Sequence, residues 1–240
     1  MPATESNREA GLPTNAARRA RLDRMRPMKA GIDKILKLPQ AQYLDSLLPP
    51  RDALLARVEE YAAQHGHPIA DPEVAQAMRV LLKARRPRHL VEIGTNIGYS
   101  VIVMGREVGA GAVVETIELD RNILAVAKNF VAEAGLQCDV RFHQGAALEV
   151  LPRLEGPFDF AFIDCVKTEY EAYLDALLPK LERGAMIVCD NLLWGGKVAE
   201  GVRDASTDAL RAFNRRLTTD PRLTTTIVAV GDGLGVAVVN

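Results

Sequence analysis

The stretch Phe-Asp-Phe-Ala-Phe-Ile-Asp-Cys-Val-Lys, residues 158–167, is an apolar run that ends in polar side chains. Its first six residues predict a buried strand, because short apolar runs are typical of strands covered on both faces. A second apolar run, Ala185–Val188, leads into Cys-Asp-Asn at 189–191. Two such strands, each followed directly by polar side chains, indicate an open α/β sheet that binds ligands at the carboxyl ends of its strands.

The polar residues at these two strand ends form a candidate metal site. Asp164 follows the first strand, and Asp190 and Asn191 follow the second. Carboxylate and amide oxygens are the donors that Mg²⁺ and Ca²⁺ prefer. Lys167 is expected one helical turn beyond Asp164, close enough to act on a group that the ion holds. The same residues also suit ordinary roles, since Asp and Asn often form caps and most lysines lie in solvent.

The segment Glu-Ile-Gly-Thr-Asn-Ile-Gly-Tyr-Ser, residues 92–100, is a candidate cofactor loop. Gly94 and Gly98 allow a sharp turn and a close approach to a ligand. Glu118 ends the next predicted strand, where a carboxylate can accept hydrogen bonds from a ribose diol. The Gly-x-x-x-Gly spacing lacks the dinucleotide fingerprint, which counts against NAD and suits S-adenosylmethionine, a ligand without a pyrophosphate. The alternative is an ordinary strand-to-helix turn with a solvated Glu118.

Outward from these segments, short apolar runs alternate with helical periodicities from residue 89 onward. This alternation predicts a parallel sheet with helices on both faces. The Gly-Asp-Gly turn at 231–233 predicts an antiparallel hairpin near the C-terminus. The predicted strands are Leu90–Ile93, Ala112–Ile117, Val140–His143, Phe158–Ile163, Met186–Cys189, Thr224–Val230 and Leu234–Val239.

The chain is predicted to have three parts. Residues 1–29 are polar and basic, and we expect a disordered N-terminal extension there. Residues 30–84 carry apolar stripes at helical spacing and predict a helical cap region. Residues 85–240 form the predicted cofactor-binding core.

Composition and charge exclude several classes of protein. The 240 residues carry a formal net charge of −1, which gives no global attraction to nucleic acids or anionic membranes. No apolar run is long enough to span a membrane. The three scattered cysteines do not form a disulfide framework, so we expect a cytoplasmic protein. No nearby histidine would activate Cys165 or Cys189 as a nucleophile, so both are expected to pack strand ends.

Four segments of the chain together resemble a known family, and they are, in order, Val91–Ser100, Phe162–Tyr170, Asp190–Trp194 and Val230–Leu234. They are similar to the bacterial members of the cation-dependent O-methyltransferases, the group that includes caffeoyl-CoA and catechol O-methyltransferases. The resemblance implies a Rossmann-like class I methyltransferase with a seven-stranded, mostly parallel sheet and a C-terminal antiparallel hairpin. Residues 85–240 would be its S-adenosylmethionine-dependent core.

The resemblance also implies the roles of individual residues. Asp164, Asp190 and Asn191 would hold Mg²⁺, or Ca²⁺ or Mn²⁺ in its place. Lys167 would be the catalytic base beside Asp164. Lys167 and Trp194 would line the acceptor pocket, although the sequence equally allows a tryptophan that only packs a loop. The residues that would bind S-adenosylmethionine are Glu92, Gly94, Thr95, Ser100, Glu118, Gly145, Ala146 and Asp164.

One departure from the family pattern lies after the third predicted strand. The family usually has an acid after the glycine there, near the adenine. This chain has Gln-Gly-Ala-Ala at 144–147 instead. The adenine contact is therefore expected to pass to backbone atoms or to another side chain.

The family chemistry requires two vicinal oxygens, so the resemblance implies a small hydroxylated aromatic acceptor of the catechol type. The ion would stabilise the anionic form of one hydroxyl, Lys167 would take its proton, and the oxyanion would attack the methyl group.

A tRNA is the alternative acceptor. The segments Tyr43–Leu48, Tyr61–His65 and His67–Ile69 resemble the bacterial tRNA 5-hydroxyuridine methyltransferase of the same group, and the basic N-terminal residues would suit phosphate contacts.

Members of this group commonly pair, so a homodimer is expected. Residues 30–48 would lie at its interface or cover the acceptor pocket.

Two functions of other classes stay open, because a fold alone does not decide function. A non-catalytic adenosine-binding module would bind S-adenosylmethionine without turnover, and an NAD-dependent dehydrogenase would bind NAD without a metal.

Overall fold

A computed structural model describes residues 38–240, which build a seven-stranded sheet with helices on both faces. The strands are β1 (His89–Ile93), β2 (Val113–Glu118), β3 (Asp139–Gln144), β4 (Phe158–Ile163), β5 (Leu181–Cys189), β6 (Leu223–Val228) and β7 (Leu234–Val239). The helices are α1 (Leu38–Ser46), α2 (Ala53–His65), α3 (Pro72–Arg85), α4 (Tyr99–Glu107), α5 (Arg121–Glu133), α6 (Ala147–Val150), α7 (Tyr170–Leu177) and α8 (Ala205–Thr219).

The strand order in the sheet is β3-β2-β1-β4-β5-β7-β6. The first five strands in this order run parallel, because helices connect them and return the chain to the same edge. β7 is antiparallel to both β5 and β6, and the short turn at 229–233 joins it to β6. The carboxyl ends of the five parallel strands form one edge of the sheet, the edge at which open α/β sheets bind ligands.

The centre of the sheet is buried on both faces. β4 has no exposed residue, which explains why its sequence is almost continuously apolar. Phe160 and Phe162 pack with helices α2 to α4 on one face, whereas Ala161 and Ile163 pack with α7 and α8 on the other. Burial of each large apolar side chain contributes about 1.5–3 kcal/mol. This packing fixes the strand ends from which the polar side chains project.

The predicted fold is confirmed, including the seven strands and the C-terminal antiparallel hairpin. All but two of the strand bounds agree with the predictions to within one residue. β5 begins at Leu181 rather than Met186, because Leu181 pairs with Phe158 although exposed polar residues follow it. β6 ends at Val228, because the N–H of Val230 donates back to the Val228 carbonyl in the turn.

The amino-terminal predictions are described only in part. The extension predicted at 1–29, with the basic residues on which the tRNA alternative drew, lies outside the described residues, as do residues 30–37. Helices α1, α2 and α3 occupy most of the remaining predicted cap region. The three-part division itself stays a prediction. Between residues 38 and 240, no helix has both the length and the apolar character needed to cross a membrane.

Candidate active site

The carboxyl ends of four neighbouring strands lie level with one another. Ile93 of β1 pairs with Ile117 of β2 and with Ile163 of β4. Ile163 in turn pairs with Cys189 of β5. The parallel register therefore brings polar residues from distant parts of the sequence to one edge. The residues that follow these four are Glu118, Gly94, Asp164 and Asp190.

The turn after β1 passes very close to the end of β4. Gly94 has a φ of +105°, and a Cβ atom there would lie 2.2 Å from the carbonyl oxygen of Asp164. Only glycine fits this position, because any side chain would collide with the neighbouring backbone. The chain then enters α4, whose first turn carries the buried Ser100. The predicted cofactor loop is thus a tight strand-to-helix turn next to Asp164.

Glu92 is a fully buried carboxyl just before this turn. Its Oε2 accepts a hydrogen bond from the Thr116 hydroxyl at 2.5 Å, and its buried Oε1 has no partner with hydrogen-bond geometry among the described residues. Burial raises the pKa of Glu92 to about 7, and the hydroxyls of Ser100 and Thr116 oppose this rise. A buried carboxyl with an unused oxygen is suited to receive a cationic ligand group.

Thr95 has a different environment from the other predicted cofactor residues. Its side chain is buried, and its Oγ1 lies 2.6 Å from Oγ1 of Thr116 in the interior. The Thr95 hydroxyl therefore supports the Thr116–Glu92 hydrogen bond. Direct binding of the cofactor by Thr95 stays a prediction.

The Glu118 carboxylate is held in one orientation by backbone donors. Its Oε2 accepts from the N–H of Asn96 at 2.8 Å, and its Oε1 accepts from the N–H of Asp120 at 2.9 Å. Each oxygen keeps a second lone pair for another donor. Glu118 is thus fixed next to the glycine turn, in a state suited to accept from a diol.

The segment after β3 lies beside Glu118. The N–H of Gly145 donates to the Glu118 carbonyl at 2.9 Å, and Ala146 is the residue before α6. The Gln144 amide donates to the carbonyl of Leu119 at 3.1 Å, on the segment after β2. The structure therefore brings Gly145 and Ala146 to the cofactor edge, where they offer backbone groups and a small side chain.

Lys167 lies in a 3₁₀ turn just beyond the end of β4, and only 8% of its side chain is exposed. Its Nζ donates to Asp164 Oδ1 at 2.8 Å and to the Tyr170 hydroxyl at 2.6 Å. Lysine is rarely buried to this extent unless it is paired. The interpretation of Lys167 as a solvated surface lysine is therefore wrong.

Tyr170 connects Lys167 to the next strand. Its buried hydroxyl donates to the backbone carbonyl of Asp190 at 3.1 Å. Burial raises the pKa of Tyr170 well above its ordinary value, so the hydroxyl keeps its proton. The ends of β4 and β5 are thus joined through one tyrosine hydroxyl.

Asp190 and Asn191 form a tight turn directly after β5. Asp190 is fully buried and Asn191 is 9% exposed. Oδ1 of Asp190 accepts from the N–H of Asn191 at 2.6 Å, and Asn191 has a φ of +63°. Asn is among the few residues that adopt this left-handed conformation readily. A turn and a ligand role are compatible here, because both residues lie at the strand end.

Trp194 lies beside the buried lysine. The Nζ of Lys167 is 5.9 Å from the Trp194 ring centroid, and the Nζ of Lys197 is 5.7 Å from the same centroid. These distances allow cation–π attraction. The indole ring thus has one buried and one exposed ammonium group within 6 Å of its centroid.

The donor set at these strand ends is chemically suited to a hard divalent cation. The Asp164 and Asp190 carboxylates and the Asn191 amide are all oxygen donors. Between residues 38 and 240, no group of three or more His, Cys, Asp or Glu side chains could hold a metal ion. An ion here would therefore require the Asn191 amide as its third protein ligand.

The cysteines at the strand ends are poor nucleophiles. Cys189 is fully buried and Cys165 is partly buried. Burial raises the pKa of both thiols above the ordinary value, which disfavours the reactive thiolate. This agrees with the predicted packing role.

Three residues that shape the site were not predicted from the sequence. Thr116 bonds Glu92, Tyr170 bonds Lys167, and Asp232 accepts from the N–H of Gly195 at 2.7 Å. Tyr170 belongs by spacing to the apolar stripe of α7, and only its position three residues after Lys167 hints at a contact. Thr116 and Asp232 make their contacts across strands and loops, which no local pattern reveals.

Comparison with known proteins assigns the family. A family model described as O-methyltransferase matches residues 51–239. The chain is 32% identical over 209 residues to a probable caffeoyl-CoA O-methyltransferase from Arabidopsis thaliana, covering 80% of this chain and 89% of that protein. It is also 32% identical over 209 residues to a catechol O-methyltransferase from Niastella koreensis, covering 82% of this chain and 95% of that protein.

A solved structure has the same fold. The O-methyltransferase from Bacillus cereus, in complex with SAH, superposes with a TM-score of 0.76 at 29% identity, covering 83% of this chain and 96% of that chain. Because the family model and both relatives are O-methyltransferases, the remoter alternatives, a non-catalytic binding module and a dehydrogenase, are wrong. With the family match extending over most of its length, this chain belongs to the O-methyltransferase family of enzymes.

Proposed function

We propose that this protein transfers the methyl group of S-adenosylmethionine to one hydroxyl of a catechol-like aromatic, with a divalent cation as cofactor. The observation that carries the proposal is the buried Lys167 ammonium, which contacts Asp164 and lies next to Trp194 at the carboxyl end of β4. The names of the two relatives, one a catechol and one a probable caffeoyl-CoA O-methyltransferase, support an aromatic diol as acceptor.

The cofactor would lie across the ends of β1 and β2. Glu92, buried with one unused oxygen, would receive the ammonium of its amino acid end. Glu118, held by two backbone N–H groups, would accept from the ribose hydroxyls. Gly94 would allow the backbone to approach, and the small residues at 145 and 146 would border the adenine. The SAH bound to the similar Bacillus cereus enzyme supports this choice of ligand.

The metal ligands would be Asp164, Asp190 and Asn191, at the ends of β4 and β5. Mg²⁺ is proposed, with Ca²⁺ or Mn²⁺ as substitutes, because the donors are all oxygens. When bound, such an ion acts as a Lewis acid that favours the anionic form of a coordinated hydroxyl. Asp164 would also hold Lys167 through the 2.8 Å hydrogen bond.

Lys167 would act as the general base. Its Nζ has one fixed partner in Asp164 and another in Tyr170, so it would meet the acceptor hydroxyl in a single orientation. In its neutral form it would take the hydroxyl proton. The Trp194 ring, 5.9 Å from Nζ, would provide the flat apolar wall against which an aromatic acceptor stacks.

The test is methyl transfer from labelled S-adenosylmethionine to a simple catechol, with Mg²⁺ and then with EDTA. We expect transfer that the chelator abolishes. Lys167→Met should lower kcat by about a hundredfold or more while sparing cofactor binding, since general bases contribute at least this factor. Asp164→Asn should remove both turnover and the response to Mg²⁺. Transfer that EDTA leaves unchanged would refute the metal-dependent mechanism.

A matched control separates loss of the base from loss of any lysine. Lys83 is 70% exposed in the last turn of α3 and pairs with Glu107, the last residue of α4. Lys83→Met should therefore keep the wild-type kcat. If Lys83→Met and Lys167→Met lose activity equally, the assignment of Lys167 as the base is wrong.

The tRNA alternative remains a proposal of lower rank, because no contact among the described residues favours it. It is tested in the same assay with a tRNA that contains 5-hydroxyuridine as acceptor. Methylation of this tRNA in the absence of catechol methylation would replace the small aromatic with the nucleic acid. Steep loss of tRNA affinity with added salt would accompany that result.

A homodimer is likewise proposed. Helix α1 has no buried residue, which supports a role of this helix in association. Its region exposes the large apolar side chains of Leu38, Tyr43, Leu44 and Leu47. Analytical ultracentrifugation should detect a dimer that Leu44→Glu weakens, and a wild-type protein that sediments as a monomer would refute it.

A further inference from the structure

Arg211 on α8 uses its whole guanidinium group to bind one loop. Its Nε donates to the carbonyl of Val198 at 2.9 Å, and its Nη1 donates to the carbonyl of Val202 at 2.6 Å. Its Nη2 donates to the carbonyls of Lys197 and Glu200 at 2.8 and 2.5 Å. The fifth donor, on Nη1, bonds Asp208 Oδ1 at 2.9 Å. All five N–H groups of the side chain are thus engaged.

The loop that Arg211 binds has little regular structure of its own. It follows Trp194, Gly195 and Gly196, three consecutive residues with φ of +50°, +64° and +84°. The residues that follow, 197–204, belong to no helix or strand. Buried or partly buried carbonyls need a donor. Arg211 donates to four carbonyls between residues 197 and 202, and its hydrogen bonds to those of Val198 and Val202 are partly buried.

The same loop borders the proposed acceptor site. Its first part is fixed to the β6–β7 turn and to α8, because Asp232 accepts from the N–H of Gly195 and the Asn214 amide donates to the carbonyl of Leu192 at 2.8 Å. Its second part is fixed by Arg211. Trp194, whose ring lies beside Lys167, is three residues before Lys197, the first residue whose carbonyl Arg211 holds.

We propose that Arg211 is a positioning residue for acceptor binding: it holds residues 194–202 as a preformed wall of the acceptor site. This inference rests on the proposed function, in which Trp194 lines the acceptor pocket. A preformed wall lets the acceptor bind without ordering a loop, which saves conformational entropy. Without the guanidinium, the loop samples other conformations. The free energy of acceptor binding is then reduced by the cost of ordering the loop. The cofactor site, on the far side of β4, is unaffected.

The test uses Arg211→Lys and Arg211→Met in the full chain. Lysine retains the positive charge but cannot engage four carbonyls with a planar fork. Arg215→Met is the matched control, because Arg215 is an exposed arginine on the same helix. Thermal melts confirm that each variant folds, and Arg211→Lys keeps the test available if Arg211→Met does not fold.

The first readout needs no acceptor. Trp194 is the single tryptophan of the chain, so its fluorescence reports only on this loop. We expect acrylamide quenching of Trp194 to rise about twofold in both Arg211 variants, and trypsin to cleave them faster after Lys197 and Arg203. Arg215→Met should match the wild type in both measurements. Unchanged quenching and cleavage in the Arg211 variants would overturn the proposal.

The second readout links the loop to catalysis. For the Arg211 variants we expect the KM for catechol to rise on the order of tenfold, with kcat nearly unchanged and affinity for S-adenosylmethionine unchanged. A parallel loss of cofactor affinity would indicate a merely structural role and overturn the proposal, as would a freed loop with an unchanged KM. If the wild type does not methylate catechol, the acceptor assignment fails, while the fluorescence result still decides what Arg211 does to the loop.

Discussion

The ionisation of Glu92 links the fold to cofactor binding at the scale of a single residue. Burial raises its pKa from 4.5 to about 7. The folded protein therefore holds a proton between these two pH values that the unfolded chain releases. The stabilising contribution of this proton is fully present below pH 4.5 and is lost as the pH rises to about 7. In this window, the free energy of unfolding should fall by roughly 1.4 kcal/mol per pH unit.

Cofactor binding should also depend on the ionisation of Glu92, and Glu92→Gln should remove this pH dependence. A cationic ligand group favours the ionised carboxylate, so wild-type affinity for S-adenosylmethionine should rise with pH up to about 7, by at most about tenfold per unit. The variant should bind weakly at every pH. Calorimetric titration between about pH 5.5 and about pH 8 measures both profiles. Glu59→Gln, at another carboxyl of raised pKa, is the control. A pH profile as steep in Glu92→Gln as in the wild type would contradict this role.

Tyr170→Phe tests the residue that orients the proposed base. The substitution keeps the ring packed against Phe213 but removes the hydroxyl that accepts from Lys167 and donates to the carbonyl of Asp190. Nζ then keeps Asp164 as its hydrogen-bond partner. We expect kcat to fall about tenfold, because one orientation of the base is lost. The free energy of unfolding should fall by about 1–2 kcal/mol.

Steady-state kinetics and chemical denaturation measure these two effects. Tyr173→Phe is the matched control, since its hydroxyl donates to Glu169 at 2.6 Å rather than to the site. It should keep the wild-type kcat. A Tyr170→Phe enzyme with undiminished kcat would show that Asp164 alone orients the lysine.

At the scale of elements, the junction of β1 with α4 depends on Gly94. Gly94→Ala would place a Cβ 2.2 Å from the Asp164 carbonyl oxygen and force the ends of β1 and β4 apart. We expect the free energy of unfolding to fall by about 2–4 kcal/mol and cofactor binding to be lost.

Gly66→Ala separates backbone strain from the steric collision. Gly66 also has a positive φ, of +73°, but no atom lies within 4 Å of a Cβ built there. Its substitution should cost about 1 kcal/mol and leave cofactor binding intact. Denaturation and calorimetry on both variants provide the comparison. Equal losses in the two proteins would mean that strain, and not the close approach of two strands, explains the requirement for Gly94.

The elements differ in how well the sequence predicts them. β4 is predicted to the residue, because both of its faces are buried and its sequence is apolar except for Asp159. The start of β5 is not, because Glu182 and Arg183 are exposed and the pairing that includes Leu181 is a tertiary contact. The left-handed conformation of Trp194 is also unpredictable, since local propensity opposes it for a large side chain.

The features of the candidate site also differ in how well the sequence predicts them. Asp164, Asp190 and Asn191 are predictable, because strand ends converge at one edge of a parallel sheet. The contacts of Lys167 with Tyr170 and of Arg211 with the loop at 197–202 are not. They depend on side-chain directions that only the packed helices α7 and α8 determine.

At the scale of the whole molecule, the proposed ligands connect strands that are distant in sequence. Glu92 and Glu118 belong to β1 and β2, whereas Asp164 and Asp190 follow β4 and β5. Ligands that bind only the folded chain stabilise all of these strands together. At a hundredfold excess over its Kd, a ligand adds about 2.7 kcal/mol to the free energy of unfolding. For a domain of this size, that corresponds to an increase in Tm of roughly 5–10 °C.

S-adenosylmethionine and Mg²⁺ should therefore each raise Tm, and EDTA should reverse only the effect of Mg²⁺. Asp190→Asn should abolish the Mg²⁺ response, because it removes a negative charge from the proposed ligand set, and should keep the response to S-adenosylmethionine. Asp175→Asn is the matched control, since that carboxylate is exposed and pairs with Arg216 on the outer surface. It should keep both responses. Thermal melts of the three proteins with each ligand measure these changes in Tm. If Mg²⁺ raises the Tm of Asp190→Asn as much as that of the wild type, the ion binds elsewhere.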